Sequence, residues 1–195
     1  MGARLVRRLV ALSCAALMMS GCAAVQSAPA PPEAAQQSAA APSPSAASSA
    51  PATGPSSAAA MVCGQEIREK VAQILALPAA PSPSSTWAGG RYTCTYRLPS
   101  GALVLAVQES SDPAAARASA HGAVAALPGA APIEGLANLG LPGYQSPAGT
   151  VAFAKDSFAL TVDATGLKEP VGPHGVSRSS LAYQIATDVL ACWSE

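Results

Sequence analysis

The chain has 195 residues and a formal net charge of zero at pH 7, with 11 basic and 11 acidic residues. From Met61 onward it carries eight basic and ten acidic residues, with no basic stripe. Proteins that bind nucleic acid need a positive surface to meet the phosphates, so the charge pattern argues against such a partner. Aromatic residues make up only 4% of the chain, which disfavours a sugar-binding platform of stacked rings.

Residues 1–21 have the pattern of a secretory signal peptide. An apolar stretch at 9–19 follows a positively charged start made by Arg4, Arg7 and Arg8. This stretch is too short to cross a bilayer as a helix, which takes roughly 20 residues. We therefore expect residues 1–21 to direct export.

The end of this segment, Met19-Ser20-Gly21-Cys22, resembles the lipobox of bacterial lipoproteins. In a lipobox an apolar residue and two small residues lead to a cysteine whose thiol accepts diacylglycerol. The resemblance implies that Cys22 is lipidated and anchors the protein on the outer, extracytoplasmic face of the cell membrane. Acyl chains contribute about 0.8 kcal/mol for each buried methylene, so two or three chains hold a protein stably. Plain secretion without a lipid is the alternative.

Residues 22–60 comprise the lipid-bearing cysteine and a tether built almost wholly from Ala, Ser and Pro, with Glu33 as its single charge. Such a stretch lacks the large apolar side chains that offset the entropy of ordering a backbone, and its prolines interrupt helices. We expect it to be disordered. The remaining residues, 61–195, then form one globular extracytoplasmic domain, long enough for a single hydrophobic core.

Three helices are predicted in this domain from apolar residues at helical spacing. The first begins near Cys63, the second covers 112–127 with Asp112-Pro113 at its start, and the third covers 177–193. The apolar stripes of the first and third helices are Cys63, Ile67, Val71 and Ile74, and Leu181, Ile185, Val189 and Cys192.

Two β-hairpins are predicted between the helices from alternating apolar residues. In the first, Leu98 is expected to pair with Leu103 across a turn at Ser100-Gly101. In the second, Phe153 is expected to pair with Phe158. One face of the hairpins is apolar, while the opposite face is small or polar and includes Arg91, Thr93, Thr95, Arg97, Gln108 and Thr161.

The predicted order of elements is α-β-β-α-β-β-α. The most economical arrangement is an α+β fold, a single antiparallel sheet of about four strands with the helices packed on one face. The polar face of the sheet is then left to solvent or to a docking partner.

The domain contains three cysteines, Cys63, Cys94 and Cys192. Disulfides persist outside the cytoplasmic membrane, so one disulfide and one remaining thiol are expected. We favour Cys63–Cys94, which would tie the start of the first helix to the first strand. The pairs Cys63–Cys192 and Cys94–Cys192 stay open, because all three cysteines fall on core-facing positions. No Cys-x-x-Cys spacing is present, so neither a metal site nor a cofactor is predicted.

Two short segments surround Cys63 and Cys94: 62–67, Val-Cys-Gly-Gln-Glu-Ile, and 92–96, Tyr-Thr-Cys-Thr-Tyr. They resemble segments of small actinobacterial lipoproteins of unknown function. In those proteins one cysteine opens the first helix and a second lies in a strand, commonly two residues before a Trp, where this chain has Tyr. Segment 135–140 is similar to a Gly-Leu-Gly-Asp segment before their third strand. The resemblance implies a layered α/β fold and the Cys63–Cys94 disulfide, and it supplies no activity.

The segment 128–149 is the candidate ligand or partner loop. It is rich in Gly and Pro yet carries apolar residues, of which Leu136, Leu139 and Tyr144 are the candidate contacts. Long segments without regular structure are uncommon in compact domains and are often functional. The alternative is that these residues simply pin the segment to the core.

No catalytic motif is found: the chain has no Gly-x-Ser-x-Gly elbow, Walker loop or dinucleotide-binding glycine pattern. The sequence therefore predicts a non-enzymatic binding or assembly module at the membrane, with an envelope protein as its partner. The alternative is a carrier or sensor that holds a small apolar ligand between helices and sheet. The two hypotheses differ in whether the domain encloses a cavity.

Overall fold

The structure, a computed structural model, describes residues 54–194. The helices of this part are α1 (Ser57–Ala60), α2 (Gln65–Ile74), α3 (Pro113–Ala125) and α4 (Arg178–Cys192), with short 3-10 helices at Met61–Cys63 and Ala137–Leu139. The strands are β1 (Ser84–Ala88), β2 (Arg91–Leu98), β3 (Gly101–Glu109), β4 (Ala131–Pro132), β5 (Gly143–Ser146), β6 (Thr150–Lys155) and β7 (Phe158–Asp163). The signal peptide, Cys22 and most of the predicted tether lie outside the described residues.

The strands form one antiparallel sheet in the order β1-β2-β3-β7-β6-β5-β4. The α+β class fits, but the prediction of about four strands is wrong, because the sheet has seven. The four predicted strands are its centre, β2-β3-β7-β6. The three additional strands extend both edges, and each is short or lacks a clear apolar alternation.

The β2–β3 hairpin pairs in a register two residues away from the predicted one. Leu98 pairs with Gly101 instead of Leu103, so the turn is Pro99-Ser100. The predicted turn was one residue too far along the chain. Moving a two-residue turn by one position changes the pairing by two, so every side chain stays on its predicted face.

The β6–β7 hairpin shows a shift of the same size in the opposite direction, because its predicted turn was one residue too early in the chain. Phe153 pairs with Leu160 instead of Phe158, and the turn falls at Asp156-Ser157. Asp156 takes a positive φ of 51° there, a conformation that Asp and Asn tolerate better than most residues. The apolar face is again preserved.

The main core lies between the sheet and helices α2 and α4. Its large side chains are fully or almost fully buried and include Ile67, Tyr96, Leu105, Phe153, Leu160, Leu181 and Ile185. Burying each such aliphatic or aromatic side chain contributes roughly 1.5–3 kcal/mol. The Tyr96 hydroxyl donates a 2.6 Å hydrogen bond to the Val62 carbonyl, which satisfies this buried polar group.

Helix α3 packs on the opposite face of the sheet, so the prediction that the helices pack on one face is wrong. Its N-cap is Asp112, whose carboxylate accepts a hydrogen bond from the Ala115 N–H. Small side chains on both surfaces let the helix lie close to β6 and β7 and form a second, smaller core of Ala116, Ala120, Val124, Ala152, Ala154 and Ala159. The prediction leaves this face to solvent or to a docking partner, and its small residues instead allow α3 to pack there.

The predicted disulfide is confirmed. Cys63 and Cys94 are joined, with a Cα–Cα distance of 5.6 Å that suits the bond. It ties the 3-10 helix before α2 to the core face of β2. Cys192 stays outside the disulfide and lies half-buried at the end of α4.

The last residues of the predicted tether are packed on the domain. Ala59 in α1 is fully buried, and the Ala58 carbonyl accepts a 3.0 Å hydrogen bond from the indole N–H of Trp193. The Ser56 N–H donates a 2.8 Å hydrogen bond to the Glu109 carboxylate. The folded part of the chain therefore includes residues before Met61. Within residues 54–194 no helix is long and apolar enough to cross a membrane.

Candidate binding surface

Half of the α3 side of the sheet carries no helix in the described part of the chain. Helix α3 covers β5, β6 and β7 and also contacts β3, where Ala106 is buried, while the rest of that side of β1, β2 and β3 is open. Directly paired residues of antiparallel strands share a side, so the pairing assigns the residues of this area. We call it the open face, and its side chains are Ser84, Thr86, Ala88, Arg91, Thr93, Thr95, Arg97, Ala102, Val104 and Gln108.

The open face holds two arginines that have no counter-ion among residues 54–194. Arg91 and Arg97 are exposed, and neither side chain makes an ion pair or hydrogen bond with another described residue. A guanidinium presents five N–H donors in a fixed fork that suits carboxylates and phosphates. The half-buried hydroxyls of Thr93 and Thr95 lie between them on β2. The strand thus offers a line of donors to an external ligand.

A groove runs along the boundary between the open face and α3. It consists of two adjoining parts of about 440 and 360 Å³, and Arg91 and Thr161 line both. Small residues such as Gly122 and Ala123 form its helical wall. Asp163 lines the second part and is held by hydrogen bonds from the backbone and hydroxyl of Thr165, at 2.8 and 2.6 Å. The groove therefore combines polar and apolar side chains, and Arg91 contributes to both of its parts.

Strand β1 forms the outer edge of the open face and was not predicted from the sequence. It joins β2 through Gly89-Gly90, whose φ angles of 57° and 72° are both positive. A two-residue hairpin turn of this kind needs positive φ at both positions, which glycine adopts without a steric penalty. The Gly-Gly pair was the signal that could have revealed β1.

The two edges of the sheet differ. Strand β1 has five residues, pairs only with β2, and contains neither proline nor a charged residue. Strand β4 has only two residues, Ala131 and Pro132, and proline has no backbone N–H to offer. Short strands and prolines are common means of blocking an edge against further strand pairing. The β4 edge is blocked in this way, and the β1 edge is not.

The candidate loop residues do not come together in one site. Leu136 is half-buried against the main core, whereas Leu139 is 72% exposed. Tyr144 belongs to β5 and packs on the α3 side, where its ring centroid is 5.0 Å from that of His121. Three residues of one segment thus point to three different environments.

The segment 128–149 is also more ordered than predicted, since it contains β4, a 3-10 helix and β5. Gly143 explains how β5 fits the sheet. A Cβ atom at Gly143 would lie 2.5 Å from the Phe153 ring, so only glycine lets β5 lie against that core residue.

Within residues 54–194, no group of three or more His, Cys, Asp and Glu side chains is placed to hold a metal ion. A smaller pocket of about 310 Å³ lies beside α1 and the end of α4, with Met61, Phe158, Cys192 and Trp193 in its lining. It is open to solvent at the β6–β7 turn, where Lys155 pairs with Asp156 at 3.0 Å.

The shifted pKa values of this domain have structural causes. Burial raises the pKa of Tyr96 above its ordinary range, so the phenol stays protonated and donates to Val62. The hydrogen bond from the Ala115 backbone lowers the pKa of Asp112, as suits a helix cap. Burial raises the pKa of Asp188, which lies on α4. All three groups lie away from the open face.

Comparisons of the chain with protein-family models, with curated proteins and with solved structures gave no match.

Proposed function

We propose that this protein is a membrane-anchored, extracytoplasmic binding module without enzymatic activity, and that it binds an envelope protein through the open face. The observation that carries the proposal is the open face itself. Arg91 and Arg97 are exposed there with no carboxylate partner among the described residues, and Thr93 and Thr95 lie between them. Exposed donors grouped on a rigid sheet are what a protein-binding surface offers. The lipobox resemblance at Cys22 supports the membrane anchor.

The interior of the domain favours this proposal over a carrier of an apolar ligand. A carrier would need space between the sheet and α4. That space holds fully buried side chains from both layers, among them Phe153, Leu160, Leu181 and Ile185. Close packing of this kind leaves no ligand-sized void among these side chains. A pocket of about 570 Å³ lies beside them, between Gln145 of β5 and Ser179 of α4, and it is open to solvent rather than enclosed.

Site-specific cross-linking in intact cells tests the binding surface. The full chain carries a photoreactive amino acid in place of Thr93 on the open face, or in place of Gln184 on the exposed side of α4 as the control. We expect a defined cross-linked protein from position 93 and none from position 184. The absence of a cross-link at position 93, or equal cross-linking at both positions, would contradict the proposal.

A separate experiment tests the anchor. Cells expressing the wild-type chain or Cys22→Ser are fed a labelled fatty acid, and their membranes are separated from soluble protein. We expect the label and the membrane association to disappear in the variant. A variant that fractionates with membranes as the wild type does would show that another feature holds the protein there.

A further inference from the structure

We propose that β1 binds an extended acidic peptide of the partner protein as an eighth strand of the sheet, with carboxylates of that peptide held by Arg91 and Arg97. This inference rests on the proposed function and adds the chemistry of the partner.

The backbone of β1 provides the first part of the argument. As the end strand of the sheet, β1 pairs with β2 on one side only, so the N–H and C=O groups along its other edge have no strand to pair with among residues 54–194. Its five residues, Ser84–Ala88, are mostly exposed and match the usual length of a strand. It carries no lysine, proline or bulge of the kinds that protect sheet edges. An extended peptide can therefore pair with it, and main-chain hydrogen bonds would supply much of the affinity.

The arginines provide the second part. Arg91 pairs with Ala88 of β1, and its side chain lines the groove beside α3. Because Ala88 is small, rotation of the Arg91 side chain brings its guanidinium over β1 toward an added strand. Strands in a sheet are about 4.8 Å apart, so that strand would lie roughly 10 Å from β2. Arg97 is on the same side of β2, six residues beyond Arg91 and so roughly 20 Å from it along the strand. Acidic residues near the two ends of the added strand would therefore form ion pairs with Arg91 and Arg97.

The opposite side of β1 provides the third part. Trp87 pairs with Tyr92 on the core side and is half-buried, so part of its indole ring remains accessible. Side chains of a strand alternate between the two faces. The best-fitting peptide thus places acidic residues beside the arginines and an apolar residue beside Trp87.

Two other occupants of this edge fit the charges less well. A second copy of the chain would pair β1 with β1, which contains no acidic residue, and would bring the arginines of both copies to the same side. The chain's own residues 23–60 contain a single charge, Glu33, and so cannot supply two carboxylates. A separate acidic peptide remains the complementary partner.

The test measures binding of fluorescent peptides to the detergent-solubilised full-length protein. One peptide alternates Glu and Val, a second has Gln in place of each Glu, and a third keeps the Glu-Val side chains but has N-methylated amides. We expect binding of the first alone. Because charge-assisted hydrogen bonds are among the stronger ones, Arg91→Gln and Arg97→Gln together should weaken it about tenfold or more. Arg117→Gln on the exposed part of α3 is the matched control and should leave it unchanged.

Several results would overturn the inference. Equal binding of the N-methylated peptide would show that charge alone acts, as for any anionic polymer, without strand addition. An Arg117→Gln effect as large as that of the double variant would show that binding is not localised at β1. No binding of the Glu-Val peptide, with the position 93 cross-link still present, would remove this inference and leave the proposed function standing. Loss of the cross-link as well would remove both.

Discussion

The two faces of the sheet are built from different residues. Toward α2 and α4 the strands present large apolar side chains such as Phe153 and Leu105, which are fully buried there. On the other face, alanines let α3 lie close over one half, and the second half exposes arginine and threonine. The stability of the fold therefore derives mainly from the first face. The open half of the second face therefore has side chains that folding does not require.

Strand β6 shows the contrast within consecutive residues. Phe153 points into the main core, and its neighbours Ala152 and Ala154 point at α3. All three are buried. Truncation should therefore be costly at Phe153, and enlargement should be costly at the alanines.

Phe153→Ala should lower the free energy of unfolding by about 3–5 kcal/mol, because it removes a fully buried ring and leaves a cavity in the main core. Urea unfolding of the full-length protein measures the effect. Phe153→Leu is the control and should lose much less, since it keeps most of the buried volume. A loss below about 1 kcal/mol for Phe153→Ala would mean that this face does not dominate stability.

Removal of the disulfide should cause the second-largest loss in the free energy of unfolding. With a sequence separation of 31, replacing Cys63 and Cys94 together by alanine should cost about 3–4 kcal/mol in the chain-entropy model. Thermal unfolding with and without a reducing agent provides the control. The reducing agent should destabilise the wild type and leave the double variant unchanged. Equal stability of the two proteins without reductant would contradict the confirmed bond's expected role.

Sequence reasoning found the centre of this fold because its signals are local. Alternating apolar residues marked β2, β3, β6 and β7, and residues such as Asp112 and Ser177 marked helix starts that the structure uses as N-caps. It placed both turns one residue away from their positions, since neighbouring residues such as Ser100 and Gly101 are both compatible with a turn. A shift of that kind keeps the faces and changes only the pairing.

The parts that sequence reasoning missed depend on tertiary contacts. Strand β5 contains four residues and is defined by the close approach of Gly143 to Phe153. Helix α3 is so rich in alanine that its sequence does not specify which face of the sheet it covers. The polar side chains Arg91, Thr93, Thr95 and Arg97 were identified as one face, and they form the open face. Their position next to an accessible sheet edge could not be predicted, because the strand that forms this edge, β1, was not predicted.

Ala152→Leu should cost about 1–3 kcal/mol, because the larger side chain has to fit between β6 and α3. Chemical unfolding measures this effect too. Ala114→Leu provides the matched control, since Ala114 is exposed on the same helix and has space for a leucine. If Ala152→Leu left stability unchanged, the close packing of α3 on the small-residue face would be wrong.

Asp188→Asn should make stability less dependent on pH. Burial raises the pKa of Asp188, Lys70 opposes this shift and Glu66 adds to it. The folded protein therefore holds the proton more tightly than the unfolded chain, so stability falls as pH rises from the unfolded pKa through the folded pKa. In the variant, stability should no longer decrease over this pH range. The variant should be at least as stable as the wild type at neutral pH. Glu134→Gln, which removes an exposed carboxylate, is the control. An unchanged pH profile for Asp188→Asn would contradict the prediction.

Arg91→Gln and Arg97→Gln should have the smallest effect on folding, within about 0.5 kcal/mol of the wild type. Neither side chain makes a hydrogen bond or ion pair with another described residue, so folding gains little from either. Thermal unfolding of the double variant measures the effect, with Arg178→Gln as the contrast. Arg178 donates to the Thr165 carbonyl at 3.0 Å and pairs with Glu169 at 3.6 Å, so Arg178→Gln should destabilise the fold. A double variant as destabilised as Arg178→Gln would mean that the open face contributes to folding, and the separation between the two faces would then fail.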